Sequence, residues 1–595
     1  MNPSSRIAPA CVALVVVFAP AVRPLGAQDA EPTIPSAAAA RPGIVVVMTD
    51  DQGFGDLGVN GNPVLETPNI DRLAGESASL RYFYVSPVCT PTRACLMTGR
   101  YNYRTRAIDT WIGRAMMEPE EVTLAEILGA AGYRTGIFGK WHLGDCYPMR
   151  PIDQGFDEAL VHRGGGLAQP SEPLENDRRY TDALLFRNGK QVETKGYCTD
   201  VYFDAAIEFI AESHASGEPF FVYVPTNAPH DPLHDVPGAL HEKYRTRDLS
   251  AVLLGRPQEA DRVARIYAMI ENIDENVGKL LAALARLGID RDTIVVYLHD
   301  NGPQTARYVG PMRGTKSGVH EGGIRSPFFV RWPERLSPGT TSERAGAHVD
   351  VLPTLLEAAG VAPPDGLRLD GRSLLPLLEG RDVEWPERYL FIQTHRGDAP
   401  VRYHHFAVRG PRWKLLCASG FGRETPPADT PYELYDVTAD PYERRNLASE
   451  HAEIVERMKA AYDRWFDDVG STRPDNYDPP RIVVGSDHET QTVLTHQDWR
   501  RRAGNGWGAE GTWLLSVVGD HAFDVRVIAR EDLENTKLTL RLGETTRTVT
   551  VEGPTRSAKI AGVRVPPGDA DLEVVIEAGD ERITPYHVVV TRVSP

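Results

Sequence analysis

Four apolar runs, each ending in a cluster of charged or amide side chains, constrain this chain more than any other feature. They are GIVVVMTDD (43–51), RTGIFGKWH (134–142), FFVYVPTNAPH (220–230) and TIVVYLHDN (293–301). Amphipathic stretches lie between them and carry helix signals. Thr67-Pro68 opens TPNIDRLAGES, Gly132 closes TLAEILGAAG and Gly288 closes IYAMIENIDENVGKLLAALARLG. Near-continuous apolar strands separated by helices predict an α/β fold, a doubly wound and mostly parallel sheet covered on both faces. Ligands of such sheets gather at the carboxyl ends of the strands. Asp50-Asp51, Lys140-Trp141-His142, residues 227–230 and His299-Asp300-Asn301 should therefore meet on one rim.

The rest of the chain divides by composition. Residues 1–27 read as a signal peptide, with Arg6, an apolar core too short to span a bilayer, and a small-residue cleavage site before Gln28. Residues 28–41 read as a flexible leader and 42–385 as the catalytic α/β domain. A small α+β subdomain is expected over 386–469, from YLFIQT, HHFAVRG, WKLLC and a last helix, EIVERMKAAYDRWFDDV. The Pro- and Asp-rich 470–481 reads as a linker. Runs such as FDVRVIA, KLTLRLG and DLEVVIEAG predict a β-sandwich over 482–595. It holds no candidate catalytic cluster, so it is expected to be accessory, with a core of its own. In WRRRAGNGWGAEGTW the tryptophans are expected mainly in that core.

Export to the periplasm or the medium follows from the leader. No later run of about 18 apolar residues predicts a membrane span. The formal charge of −17 is spread along 595 residues without a basic patch, which argues against nucleic acid or an anionic membrane as partner. Beyond Cys11 the cysteines are Cys89, Cys95, Cys146, Cys198 and Cys417, an odd number without a scaffold or zinc spacing. With Cys89 set aside, four remain for no, one or two bridges.

Asp50, Asp51, Asp300 and Asn301 offer hard oxygen ligands, suited to calcium or magnesium. Asp50 and Asp51 can share an ion only where the strand ends, and Gly53 and Gly55 would allow that bend. Lys140 and His142, two apart on a strand, would share a face. Arg93, Lys140 and Lys316 would bring three cations to three carboxylates, a pattern suited to a tetrahedral oxyanion beside a divalent cation. His142 and His230 could move protons. Read singly, each is an ordinary loop aspartate, surface lysine or satisfied histidine. Cys89 falls at the start of a helix, where it is either a thiolate with a lowered pKa or a buried structural cysteine.

The motif C89-T-P-T-R93, followed by LMTGR, resembles the signature of the type I sulfatases in the alkaline phosphatase superfamily. TDDQGFGDLG, GKWHLG, NAPHDP, DNG, RGTKSGVHEGGIRSPFFVRWP and ELYDVTADPYERRNL extend the resemblance over about 43–466. Thr92 departs from the usual serine, and Cys95 inside the signature helix has no counterpart reading. The resemblance implies that a maturation enzyme oxidises Cys89 to formylglycine, whose hydrate attacks sulfur and is regenerated as its second hydroxyl expels sulfate. It implies calcium or magnesium on Asp50, Asp51, Asp300, Asn301 and the modified Cys89. Arg93 and His142 would hold the hydrate, Lys140 and Lys316 the sulfate, and His230 with Lys316 would protonate the leaving alcohol. The implied substrate is a sulfate monoester, with sulfated carbohydrate favoured by export.

Two other functions fit parts of this pattern. One is a formylglycine-dependent phosphodiesterase or phosphonate hydrolase of the same superfamily; the other is a non-catalytic carbohydrate-binding surface protein. Arg163, Arg307, Arg313 and His320 flank the motif loops, either as substrate contacts or as solvated surface.

Overall fold

The computed structural model describes residues 41–167, 169–501, 507 and 510–593. The signal-peptide assignment and nearly all of the leader lie outside the described residues. Five parallel strands form the centre of an 11-stranded sheet, in the order Thr293–His299, Gly43–Thr49, Phe220–Pro225, Arg134–Lys140, Glu158–His162. Antiparallel pairing is confined to the flanks. Phe328–Arg331 joins Thr293–His299 to Ala78–Tyr84 on one side, and the hairpin Leu184–Arg187/Lys190–Glu193 closes the other.

Alternation along Gly43–Thr49 feeds two cores. Ile44, Val46 and Met48 pack with Leu124, Leu128 and Leu352 from helices on one face. Val45 and Val47 pack on the other with Phe203 and Phe209 of helix Cys198–Ser216 and Val277 of helix Ala260–Leu287. Register sets the site: Thr49 lies beside His299, and Met48 beside Pro225. Asp50 and Asp300 therefore emerge at one level, and strand Phe220–Pro225 ends one residue short of it. Truncating any one of these buried side chains to alanine should cost about 2–5 kcal/mol.

A four-stranded antiparallel sheet, ending in Glu433–Asp436, packs against helix Ala452–Gly470. Beyond it, two β-sheets share an inner core of residues such as Val525, Ile560, Leu540 and Leu572. Short strands at Ile482–Val484 and Gln491–Thr495, not anticipated from the sequence, add to them. The segment expected as a linker is held down: buried Arg106 pairs with Asp475 at 2.6 Å and stacks 4.4 Å from the Tyr477 ring centroid. All five described cysteines are free and buried. Among the described residues no helix is long and apolar enough to cross a membrane.

The sandwich core is not confined to the sandwich. Ile112, Met116, Cys146 and Met149 of the α/β part belong to the same cluster as Trp499, Trp513 and Leu515. Trp499 and Trp513 are thus core, as expected, but that core spans the seam between the two parts. Carboxylates are trapped there: both oxygens of buried Asp498 lack a partner. Burial, then the neighbouring Asp145, pushes Asp498 well above the usual carboxylate range; burial pushes Asp145 up to about 6. Because both groups are raised on folding, their contribution is full below the unfolded value of about 4 and is lost as pH rises through about 6 and beyond. Asp498→Asn should raise Tm by about 2–4 °C at pH 8 and leave it unchanged at pH 4. Calorimetry across that range checks this, and equal shifts at both pH values would contradict it.

Candidate active site

Helix Cys89–Thr98 is wholly buried, and Val88 caps it without a side-chain hydrogen bond. Thr92 ties it down instead. Its hydroxyl accepts from the Ser86 amide at 3.0 Å and donates to the Asp300 carbonyl at 2.7 Å, fixing the helix to the end of a central strand. The departure from serine keeps that hydroxyl. Cys89 Sγ then sits 3.4 Å from Asp50 Oδ1. One turn on, Arg93 reaches back, donating to the Lys140 carbonyl and to Asp300 Oδ2, both at 2.8 Å.

The bend that lets adjacent Asp50 and Asp51 share the rim is at Asp51 itself, with φ 62°, and not at Gly53 or Gly55. Aspartate tolerates this left-handed conformation better than most residues. His142 also has a positive φ, 60°, and lies beyond strand Arg134–Lys140. Lys140 reaches the site as the last residue of its strand and His142 through this turn, so the two are not neighbours on one strand face.

Lys140 pairs with Asp50 Oδ2, while Lys316 Nζ lies 2.6 Å from Asp51 Oδ1 and Asn301 Nδ2 donates to that oxygen at 2.8 Å. His230 Nε2 is 3.8 Å from Asp51 Oδ2. All the site residues anticipated from the sequence are brought together: Asp50, Asp51, Cys89, Arg93, Lys140, His142, His230, Asp300, Asn301 and Lys316. Cys89, His142, His230 and Lys316 line a cavity of about 420 Å³. A second cavity of about 540 Å³, lined by Leu249, Ser250, Leu253 and Arg256, takes in none of the residues clustered at the strand ends.

Burial and charge decide the protonation states. Burial works against ionised Asp50, but Lys140, then His230, Arg93 and Lys316, hold its carboxyl well below the usual range. Asp300 is pushed up to about 7 by burial and then by Asp50. Burial, then Asp50, drives the Cys89 thiol up to about 12, overriding the helix N-terminus and Lys140. That direction favours a neutral thiol over the thiolate. Lys316 stays charged, since Asp51 and its neighbours outweigh its burial. His142 is kept neutral by burial, then by Lys140 and Arg93; burial also lowers His230.

The donor set fits a hard divalent cation. Ligand atoms of Asp50, Cys89 and Asp300 lie within 4.8 Å of one another. Asp51 Oδ2 and Asn301 Oδ1 are buried without a hydrogen-bond partner, acceptors that a cation would satisfy.

Arg163, Arg307, Arg313 and His320 do not line the cavity. Arg307 is a buried brace, 2.6 Å from Asp56 Oδ2 and 3.0 Å from the Asp51 carbonyl. Arg313 and His320 both pair with Glu433 at 3.1 Å, and Arg163 stacks on Phe186. Residues not anticipated take their place: Thr110, Trp111, Gln169, Gln304, Arg396 and Trp507. The only sequence signal among their neighbours was the run Gly164-Gly165-Gly166. A Cβ on Gly165 would lie 2.6 Å from His142 Cε1, and one on Gly166 3.1 Å from His230 Nδ1.

Such a cavity, cationic yet floored by carboxylates, binds and splits esters of a tetrahedral oxyanion. Comparison with known proteins narrows the ester. Residues 42–361 match the sulfatase family model, and residues 315–465 match the model described as N-sulphoglucosamine sulphohydrolase, C-terminal. The chain is 35% identical over 378 residues to mouse (Mus musculus) N-acetylgalactosamine-6-sulfatase, covering 58% of this chain and 68% of the relative. It is 32% identical over 465 residues to human (Homo sapiens) arylsulfatase A, covering 71% and 87%. The crystal structure of Ps i-CgsB in complex with k-i-k-neocarrahexaose superposes with a TM-score of 0.63 at 26% identity, over 72% of this chain and 94% of that one. The chain belongs to the sulfatase family. It is a sulfuric ester hydrolase.

Gly165→Ala tests the packing around His142. The added methyl must displace the imidazole, and we expect kcat to fall about 100-fold with Tm changed by less than about 3 °C. Unchanged turnover of p-nitrophenyl sulfate would show that the placement of His142 is irrelevant to the reaction.

Proposed function

We propose that the protein is an exported sulfatase that cleaves sulfate monoesters of carbohydrate, using formylglycine made from Cys89 and a calcium ion. The observation that carries this is the position of Cys89, on the cavity lining, 3.4 Å from a carboxylate and held as a neutral thiol. A neutral thiol is a poor nucleophile. Formylglycine, in its hydrated form, supplies one hydroxyl to attack sulfur and a second whose deprotonation expels sulfate. A calcium ion on Asp50, Asp51, Asp300 and Asn301 supplies the positive charge that offsets the three carboxylates and draws in the sulfate; magnesium is the alternative.

The chain's own groups do the rest. The Lys140 and Lys316 ammonium groups hold the sulfate oxygens, and Arg93 keeps position 89 aligned with Asp300. The Thr110 carbonyl, 2.9 Å from His142 Nε2, can only accept, so the proton sits on Nε2. Nδ1, buried and without a partner, is left bare to take a proton from the group at position 89. By the same reasoning the Asp231 carbonyl, 2.9 Å from His230 Nδ1, holds a proton on Nδ1, so His230 gives a proton to the departing alcohol from Nε2 only as the imidazolium, and the charged Lys316 on the same cavity shares that role.

The carbohydrate substrate is supported by the relatives' names and by the sugar in the Ps i-CgsB crystal structure. Those sulfate-ester relatives also favour sulfate over the phosphodiester alternative. Export rests on residues 1–27, and N-terminal sequencing of the secreted protein should begin after Ala27. Co-expression with a formylglycine-generating enzyme should replace the Cys89 thiol by an aldehyde or its hydrate, read by peptide mass spectrometry. Cys89→Ser should lose multiple turnover by at least about 1,000-fold, because a serine sulfate has no geminal hydroxyl to release it. Turnover by an enzyme whose Cys89 is still a thiol would overturn the proposal. A panel of defined sulfated monosaccharides, with bis(p-nitrophenyl) phosphate in parallel, tests the substrate class.

A further inference from the structure

The cavity is not built by the α/β part alone. Trp507, from the C-terminal β-rich region, lines it opposite Trp111. The two indoles meet edge to face, with ring centroids 5.1 Å apart and planes at 81°. Trp111 is held from behind, because the Arg396 guanidinium lies 4.5 Å from its ring centroid. Arg396 is itself fixed by Asp109 at 2.6 Å and Thr110 Oγ1 at 3.0 Å, and it also covers Phe421 at 4.7 Å. The indole Nε1–H of Trp111 is buried with no partner.

Gln497, also from the C-terminal region, grips the same loop at two points. Its side-chain amide donates to the Thr110 carbonyl at 2.9 Å and lies 3.3 Å from His142 Nε2. Its backbone carbonyl accepts from the Gly113 amide at 2.8 Å. The Thr110 carbonyl that fixes the His142 tautomer is therefore itself positioned from across the seam.

We infer that the C-terminal β-rich region completes the active site, with Trp507 and Trp111 forming the wall that holds the ring of the leaving alcohol and Gln497 positioning Thr110 and His142. An indole face suits the apolar C–H face of a sugar or an aryl ring, while Gln169 and Gln304 on the same cavity offer amides to hydroxyl groups. The wall shares the cavity with His230 and Lys316, the groups assigned to the leaving oxygen. This rests on the sulfatase site described above and not on the sugar being the natural substrate. It also replaces the expectation that residues 482–595 are only accessory.

The test uses the full-length matured enzyme with p-nitrophenyl sulfate as substrate and inorganic sulfate as competitive inhibitor. Sulfate carries no ring for the wall to hold, so its inhibition constant reads the anion site alone. Trp507→Ala should raise KM about tenfold with kcat little changed and the sulfate inhibition constant unaltered, and Trp507→Phe should restore most of the loss. Trp111→Ala should behave as Trp507→Ala does. Gln497→Met, similar in size but without the donor, should instead lower kcat about tenfold at little cost in KM. A KM unmoved in both tryptophan variants, or a sulfate constant that rises in step with KM, would overturn the wall. An unchanged kcat in Gln497→Met would overturn the positioning role. If p-nitrophenyl sulfate is turned over but N-acetylgalactosamine 6-sulfate and the rest of a sugar panel are not, the carbohydrate reading falls, and the aryl ring still tests the wall.

Discussion

Asp50, Asp300, Arg93 and Lys140 are packed together at the carboxyl end of the sheet with side chains fully buried, Arg93 paired with Asp300 and Lys140 with Asp50. Removing charges from water costs several kcal/mol per ion, and a buried pair gains stability only when its geometry and remaining hydrogen bonds are good. Here the geometry is supplied by register. Thr49 and His299 end their strands side by side, so Asp50 and Asp300 leave the sheet as neighbours, with Lys140 arriving from two strands away. Breaking any single partner would strand a buried charge, which typically costs about 3–5 kcal/mol. The cluster is better understood as a pre-formed electrostatic site than as a source of stability.

Successive shells hold that cluster in shape. Arg307 clamps Asp56 and the Asp51 carbonyl, fixing the turn in which Asp51 takes its positive φ. Lys414, fully buried on the small subdomain's sheet, bridges Glu321 at 2.9 Å and Glu443 at 2.7 Å. That joins the subdomain to the loop region after Lys316. On the opposite side the β-rich region reaches Thr110 and His142 through Gln497. A site of fixed charges needs rigid surroundings, because a displacement of about 1 Å can cost about 100-fold in rate.

The charged cluster was legible because strand ends leave a sequence signature: an apolar run that stops at Asp50, Lys140 or Asp300. The parallel centre of the sheet was legible for the same reason. Its antiparallel flanks were not, since Ala78–Tyr84 and Phe328–Arg331 carry no distinctive punctuation. The left-handed turns at Asp51 and His142 left no trace either, because neither position is glycine. Arg307 was open to two readings, substrate contact or solvated surface, and is instead a buried brace, a difference set by its partner Asp56. Gln497 and Trp507 lie more than 350 residues from His142 in the chain, and only the shared core of Ile112, Met149 and Trp513 brings them near. Within WRRRAGNGWGAEGTW, composition alone could not separate Trp499 and Trp513, which fill the core, from Trp507, which faces the cavity.

The central claim is that three crowded carboxylates and two unpartnered oxygens form a seat for a hard divalent cation. Metal analysis of the purified, matured enzyme by inductively coupled plasma mass spectrometry tests it most directly. The account expects calcium or magnesium at equimolar ratio to protein, removed by chelation together with activity and absent from folded Asp300→Ala. A fully active enzyme carrying neither metal, or an Asp300→Ala variant that retains it in full, would contradict the account.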